Sequence, residues 1–189
     1  MGTFMVLNQI TPPSYLPLSL SEAKNDLKIS TNADDDRIQR IMRTSIDTIE
    51  TFTGKRLITQ TWDYYFDYFC DEIKVPYPPL QSITYIKYKD TSGAWQTLST
   101  SVYDVDTFSV PGKVYRAYNA TWPSIQEVQN AINIRFIAGY GSVSDIPERF
   151  IDAILLDMKM QMNSVDPAYM QTLMDRRDAL ILKDRIIWL

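Results

Sequence analysis

Pro76-Tyr77-Pro78-Pro79-Leu80 decides how the chain divides, because it stands between two runs of strand character. Three prolines in four positions cannot lie inside a hydrogen-bonded ladder, since each lacks an N–H and has a fixed φ. The segment reads as an extended crossing that carries the chain from one strand to the next. Before it, Ile58 to Val75 reads as an aromatic-rich hairpin with Cys70-Asp71-Glu72 at its turn. After it, Leu80 to Tyr88 reads as a further strand.

Outward from the crossing the period stays close to two. Trp62, Tyr64, Phe66 and Tyr68 alternate with Asp63, Tyr65, Asp67 and Phe69, as strand residues on opposite faces do. Asp90-Thr91-Ser92-Gly93 marks a hairpin turn, and Tyr103–Asp106 and Gly112–Arg116 are short strands. Ile132, Ile134 and Phe136 face one way and Asn133 and Arg135 the other, and Gly139-Tyr140-Gly141 ends that strand. These runs predict a β insertion over 57–141, built as one small antiparallel unit.

Helical spacing flanks the insertion. Ser19-Leu20-Ser21-Glu22 is a capping box opening a short helix over 20–28. Asp34-Asp35-Asp36 opens a longer one over 34–53, with Ile38, Ile41, Met42, Ile49 and Phe52 recurring along it and Gly54 placed to close it. A calcium loop starting at Asp34 needs glycine and glutamate where Gln39 and Ser45 stand, so the acids read as capping charges on the helix dipole. Pro147 starts a third helix over 147–163, and Asp166-Pro167 a fourth that carries Arg176 and Arg177 on a charged surface. The expected class is α+β: N- and C-terminal helices forming a bundle, with a small antiparallel sheet inserted between them. The domain plan is an extended arm over 1–18, a main domain over 19–163, and a C-terminal helix with an apolar tail over 164–189. The proline-containing arm is either an unstructured tail or a strap onto a neighbouring subunit. The tail end, Ile186-Ile187-Trp188-Leu189, either folds back on its own core or docks into another protein with Trp188 as anchor.

Composition narrows the function. Hydrophobic residues make up 45% of the 189, enough for a core, and no apolar run approaches the roughly 20 residues that span a bilayer. The first residues lack the basic and apolar regions of a secretory signal. A net charge of −4 opposes a role in gripping phosphates. Histidine is absent, which removes the commonest general base and metal ligand, and the single Cys70 allows no internal disulfide. Asp63 and Asp67 share a strand face but lie roughly 13 Å apart in extended chain, too wide for a glycosidase pair. Gly139-Tyr140-Gly141 lacks the third glycine and the following helix of a dinucleotide site. No cofactor is expected, and the residues describe an interaction protein rather than an enzyme.

The order of motifs goes further. Leu18-Ser19-Leu20-Ser21-Glu22-Ala23-Lys24 precedes the acidic helix start, and that helix ends in Phe52-Thr53-Gly54-Lys55-Arg56-Leu57-Ile58-Thr59-Gln60-Thr61-Trp62. Pro78-Pro79-Leu80-Gln81-Ser82-Ile83, Tyr103-Asp104-Val105-Asp106, Pro111-Gly112-Lys113-Val114, Thr121-Trp122-Pro123 and Arg135–Gly141 follow, before the Ile146-Pro147 helix. Over residues 18–163 this string resembles the head–tail connector (adaptor, or head-completion) family of tailed bacteriophages. The resemblance implies a non-enzymatic virion protein that assembles into a ring, commonly a dodecamer, beneath the portal protein. Such a ring extends the DNA channel and receives the next neck or tail protein, a stopper or tail terminator. DNA would pass without sequence-specific binding, and acidic residues lining the channel would repel its phosphates. The C-terminal segment of such adaptors reaches toward the portal, which makes Arg176, Arg177, Ile181, Ile186, Ile187, Trp188 and Leu189 the candidate partner-binding residues. The competing expectation is a carbohydrate- or receptor-binding virion module that stacks its ligand on an exposed Trp62/Tyr64/Phe66 face.

Overall fold

The computed structural model describes residues 6–162 and 166–186. The described residues form eight strands and four α-helices in an α+β fold, divided into a β unit (6–14 and 59–140) and a helical unit (15–58 and 141–186).

The β unit contains two antiparallel sheets, not one. The larger has the order β1-β2-β8-β4-β5, from β1 (Val6–Thr11), β2 (Gln60–Phe66), β8 (Ile132–Ala138), β4 (Leu80–Lys89) and β5 (Trp95–Thr97). The smaller has the order β3-β7-β6, from β3 (Glu72–Lys74), β7 (Lys113–Arg116) and β6 (Tyr103–Asp106). The 58–75 run is therefore not a hairpin: β2 pairs with β1 and β8, whereas β3 pairs with β7 in the other sheet. The proline crossing carries the chain from the small sheet to the large one, and Tyr77 turns it with a left-handed φ of 59°.

One core fills the space between the sheets. Ile73, Tyr103 and Val114 come from the smaller sheet, and Tyr64, Phe66, Ile86, Ile132, Ile134 and Phe136 from the larger. Each large side chain buried this completely contributes roughly 1.5–3 kcal/mol of transfer free energy. Gly112 lies hard against Leu80: a Cβ there would lie 2.5 Å from Leu80 Cβ and 2.6 Å from its Cδ2. Leu80 is itself buried and cannot retreat. Gly112→Val is expected to destabilise the β unit by about 2 kcal/mol through overpacking, read as a lower denaturation midpoint with an unchanged slope.

Part of the arm joins the larger sheet of its own chain. Val6–Thr11 is the edge strand of the larger sheet, paired from Val6↔Tyr65 to Thr11↔Thr61, and Gln9 Nε2 donates to Gln60 Oε1 at 2.7 Å. It forms no free tail over these residues because β2 offers it a complete ladder edge.

In the helical unit, α1 (Leu20–Leu27) opens with the expected box: Glu22 N–H donates to Ser19 Oγ at 3.2 Å and Ser19 N–H to Glu22 Oε2 at 2.9 Å. α2 (Asp35–Thr53) ends at Gly54, whose φ of 71° lets its N–H reach Glu50 O at 2.9 Å. α3 (Glu148–Met162) packs on α2 and on α4 (Pro167–Ile181), which Asp166 caps through Ala168 N–H at 2.9 Å. Ile38, Met42 and Ile49 of α2 and Phe150, Ile154 and Met158 of α3 are fully buried. Leu156, Met160 and Leu173 form a second cluster at the α3–α4 contact.

Candidate functional site

The C-terminal segment is held by charge as much as by apolar contact. Arg177 on α4 pairs with Asp157 of α3 at 2.7 Å and with its neighbour Asp178 at 2.8 Å. Past α4, Asp184 accepts from Lys55 at 2.9 Å and from Arg149 Nε at 2.6 Å and Nη2 at 2.9 Å. The Arg149 guanidinium, with Lys55 beside it, lowers the Asp184 carboxyl to about 2 despite its partial burial. Arg185 then lies 5.3 Å from the Phe52 ring centre, and Ile186 donates its N–H to Thr53 O at 2.9 Å, an otherwise open carbonyl at the end of α2.

These contacts sort the seven residues singled out at the C-terminus. Ile181 is fully buried within its unit, Arg177 is engaged in ion pairs there, and Arg176 is exposed. Ile186 turns back onto α2 beside Gly54. Ile187, Trp188 and Leu189 lie outside the described residues.

The other candidates dissolve into structure. Tyr64 and Phe66 are 6% and 2% exposed and face the intersheet core, so the aromatic ladder presents no stacking surface and the carbohydrate-binding expectation falls. Asp63 is buried and takes both Nε (2.8 Å) and Nη2 (2.7 Å) of Arg135, while Asp67 accepts Asn130 N–H at 2.9 Å. Neither carboxylate is free for acid–base work. Asp35 of the acidic triplet pairs with Lys24 at 2.6 Å, and no cluster of three metal-ligating side chains exists among the described residues.

Two exposed aromatics escaped the sequence reading. Phe108 is 96% exposed at the β6–β7 loop tip, which Asp106 stiffens by accepting the N–H groups of Phe108 (2.8 Å) and Ser109 (3.0 Å). Tyr118 is 92% exposed after β7. The Asp-x-x-Ser spacing at 106–109 was the available signal for the first of these.

Helices carry an inserted two-sheet unit, Phe108 and Tyr118 stand out at loops, and Asp63, Asp157 and Asp184 are used in structural ion pairs. The family described as "Phage gp6-like head-tail connector protein" matches residues 17–110 of the chain. Solved structures share the fold from end to end. A chain from the neck of an empty gene transfer agent particle computed with C6 symmetry is 22% identical, with a TM-score of 0.78 over 97% of each chain. A chain from the virion of the native gene transfer agent particle is 21% identical, with a TM-score of 0.75 over 97% of this chain and 96% of that one. A chain from the native particle's neck computed with C12 symmetry is 21% identical, with a TM-score of 0.73 over 97% of each. No curated protein matches the chain by sequence.

Proposed function

We propose that the chain is the adaptor in the neck of a phage-like particle. Copies form a ring, with twelve as the expected number, beneath the portal; the ring extends the DNA channel and receives the next neck or tail protein. One observation carries this: the whole fold, over 97% of both chains, is shared with a subunit of necks computed with C6 and C12 symmetry. The family match over residues 17–110 supports the connector role independently. The net charge of −4 suits a channel wall along which DNA slides.

The test is electron microscopy of the protein mixed with its portal. An added ring of density on the portal is expected; portal particles that remain bare in the presence of excess protein would refute the adaptor role. The portal contact is assigned to the C-terminal segment. Deleting Ile187–Leu189 removes the Trp188 anchor while keeping the Ile186–Thr53 hydrogen bond. Portal affinity is expected to fall by about tenfold or more, with the thermal midpoint unchanged. Co-sedimentation of the truncated chain with portal measures it, and undiminished binding would move the contact elsewhere.

A further inference from the structure

The outer face of the larger sheet is unlike the rest of the molecule. Strand alternation places Asp63 and Tyr65 of β2, Asn133 and Arg135 of β8, Tyr85, Lys87 and Lys89 of β4, and Trp95 of β5 on the side away from the intersheet core. Most of them line a shallow pocket of about 300 Å³. Its charges within the strands are Lys87, Lys89 and Arg135 against Asp63, a net of +2 in a chain of −4, so the remainder of the chain carries −6.

The two lysines have no carboxylate partner among the described residues. Each rests instead on an aromatic face: Lys87 Nζ lies 4.6 Å from the Tyr85 ring centre and Lys89 Nζ 5.4 Å from that of Trp95. Trp95 is 45% exposed. On the pocket lining, Asn133 is 4% exposed and its Nδ2 has no hydrogen-bond acceptor among the described residues. The Asn133 amide is enclosed within the chain, whereas the two ammonium groups stand at the surface without a carboxylate and suit an anionic partner.

We propose that this face docks onto the acid-rich surface of a second copy of the chain and is one half of the contact that closes the ring. The inference rests on the ring proposed above. A cationic face repels its own like, so two copies cannot pair through it in two-fold fashion. It must meet a different, acidic surface, and such a head-to-tail contact is the kind that generates rings. Trp95 and Tyr85 supply the apolar area that exposed charge pairs alone lack. Single-stranded nucleic acid is the other ligand for aromatics interleaved with cations, but the net charge of the whole chain opposes its approach, whereas the net −6 outside this face favours the approach of a second copy.

Rings are assembled on portal particles from an equal mixture of isotope-light and isotope-heavy protein and coupled with a zero-length carbodiimide, which joins amines only to carboxylates in contact. Mass spectrometry is expected to find peptides linking Lys87 or Lys89 of one isotope to an Asp or Glu of the other. In parallel, K87E/K89E is expected to weaken ring formation by about tenfold with an unchanged thermal midpoint, and K87R/K89R to preserve it. Rings visible by microscopy whose lysines couple only to the portal, or to no carboxylate of another copy, would overturn this inference and leave the adaptor role standing. Protection of both lysines by a single-stranded oligonucleotide, without inter-copy products, would assign the face to nucleic acid and also overturn it. Absence of any ring on the portal would overturn both proposals together.

Discussion

Arg135→Met is expected to cost the β unit about 3 kcal/mol, one of two ion-pair losses of that size. Methionine keeps most of the stem volume but removes both hydrogen bonds to Asp63, whose side chain is 5% exposed. The carboxylate would then be buried without a cation beside it. Arg135 itself is 29% exposed, so water can partly take its place, which sets the expectation at the lower end of the range for broken buried pairs. Because Asp63 and Arg135 are register partners at the middle of the sheet, the loss is felt across β2, β8 and β4 together. Denaturant unfolding followed by near-UV circular dichroism of the tryptophans measures it. The companion variant D63L/R135M should recover much of the loss, since it removes the uncompensated charge rather than exposing it. A loss in R135M below about 1 kcal/mol would mean that Asp63 is solvated and the pair is a surface one.

Asp184→Asn is the second. Asn keeps the shape of the side chain but removes the negative charge that Lys55 and Arg149 share, and Lys55 is 9% exposed at its side chain. About 3 kcal/mol is expected to be lost from the helical unit. The pH dependence carries its own sign. The folded carboxyl sits at about 2, below its usual 3.8, so its stabilising contribution is complete above that usual value and disappears as pH falls from about 4 toward about 2. Thermal midpoints of the native chain and of D184N should therefore converge over that window and stay separate above it. A gap that persists undiminished to pH 2 would show that the asparagine acts through packing. Loss of the anion also releases the turn that positions Ile186, so faster exchange of the Ile186 amide is expected in D184N.

The helices were legible in the sequence because the signals that start and stop them are local. Ser19 and Glu22 lie within one turn of each other, and Gly54 and Asp166 sit next to the ends they close. The sheets were less so. Arg135 lies 72 residues from Asp63, and no spacing in the chain connects them. Val6–Thr11 lacks the alternation of a half-buried strand because both of its faces are largely exposed, with only Leu7 packing on the core, so its place as an edge strand left no pattern to read. The proline crossing was recognisable, but a barrier between strands looks the same whether it joins one sheet or two. At the C-terminus, Ile181 stands among apolar and charged residues that do not segregate cleanly around α4. Which of its faces meets α3 was decided by Leu173 and the Arg177–Asp157 pair rather than by period.

The position of β8 has a consequence for how the protein is made. It lies between β2 and β4 in the larger sheet, yet it is the last strand of that sheet to leave the ribosome. Until residues 132–138 emerge, β2 and β4 have no common neighbour, and each presents an unpaired backbone edge to other nascent chains. Completion of the sheet must then close sequence separations of 44 to 78 residues, which places it among slow-forming topologies. Arrested nascent chains ending before Ile132 should bind chaperones and resist release, and chains extended past Ala138 should be freed. The stretch of synthesis between the emergence of β4 and that of β8 is when this protein is most exposed to aggregation.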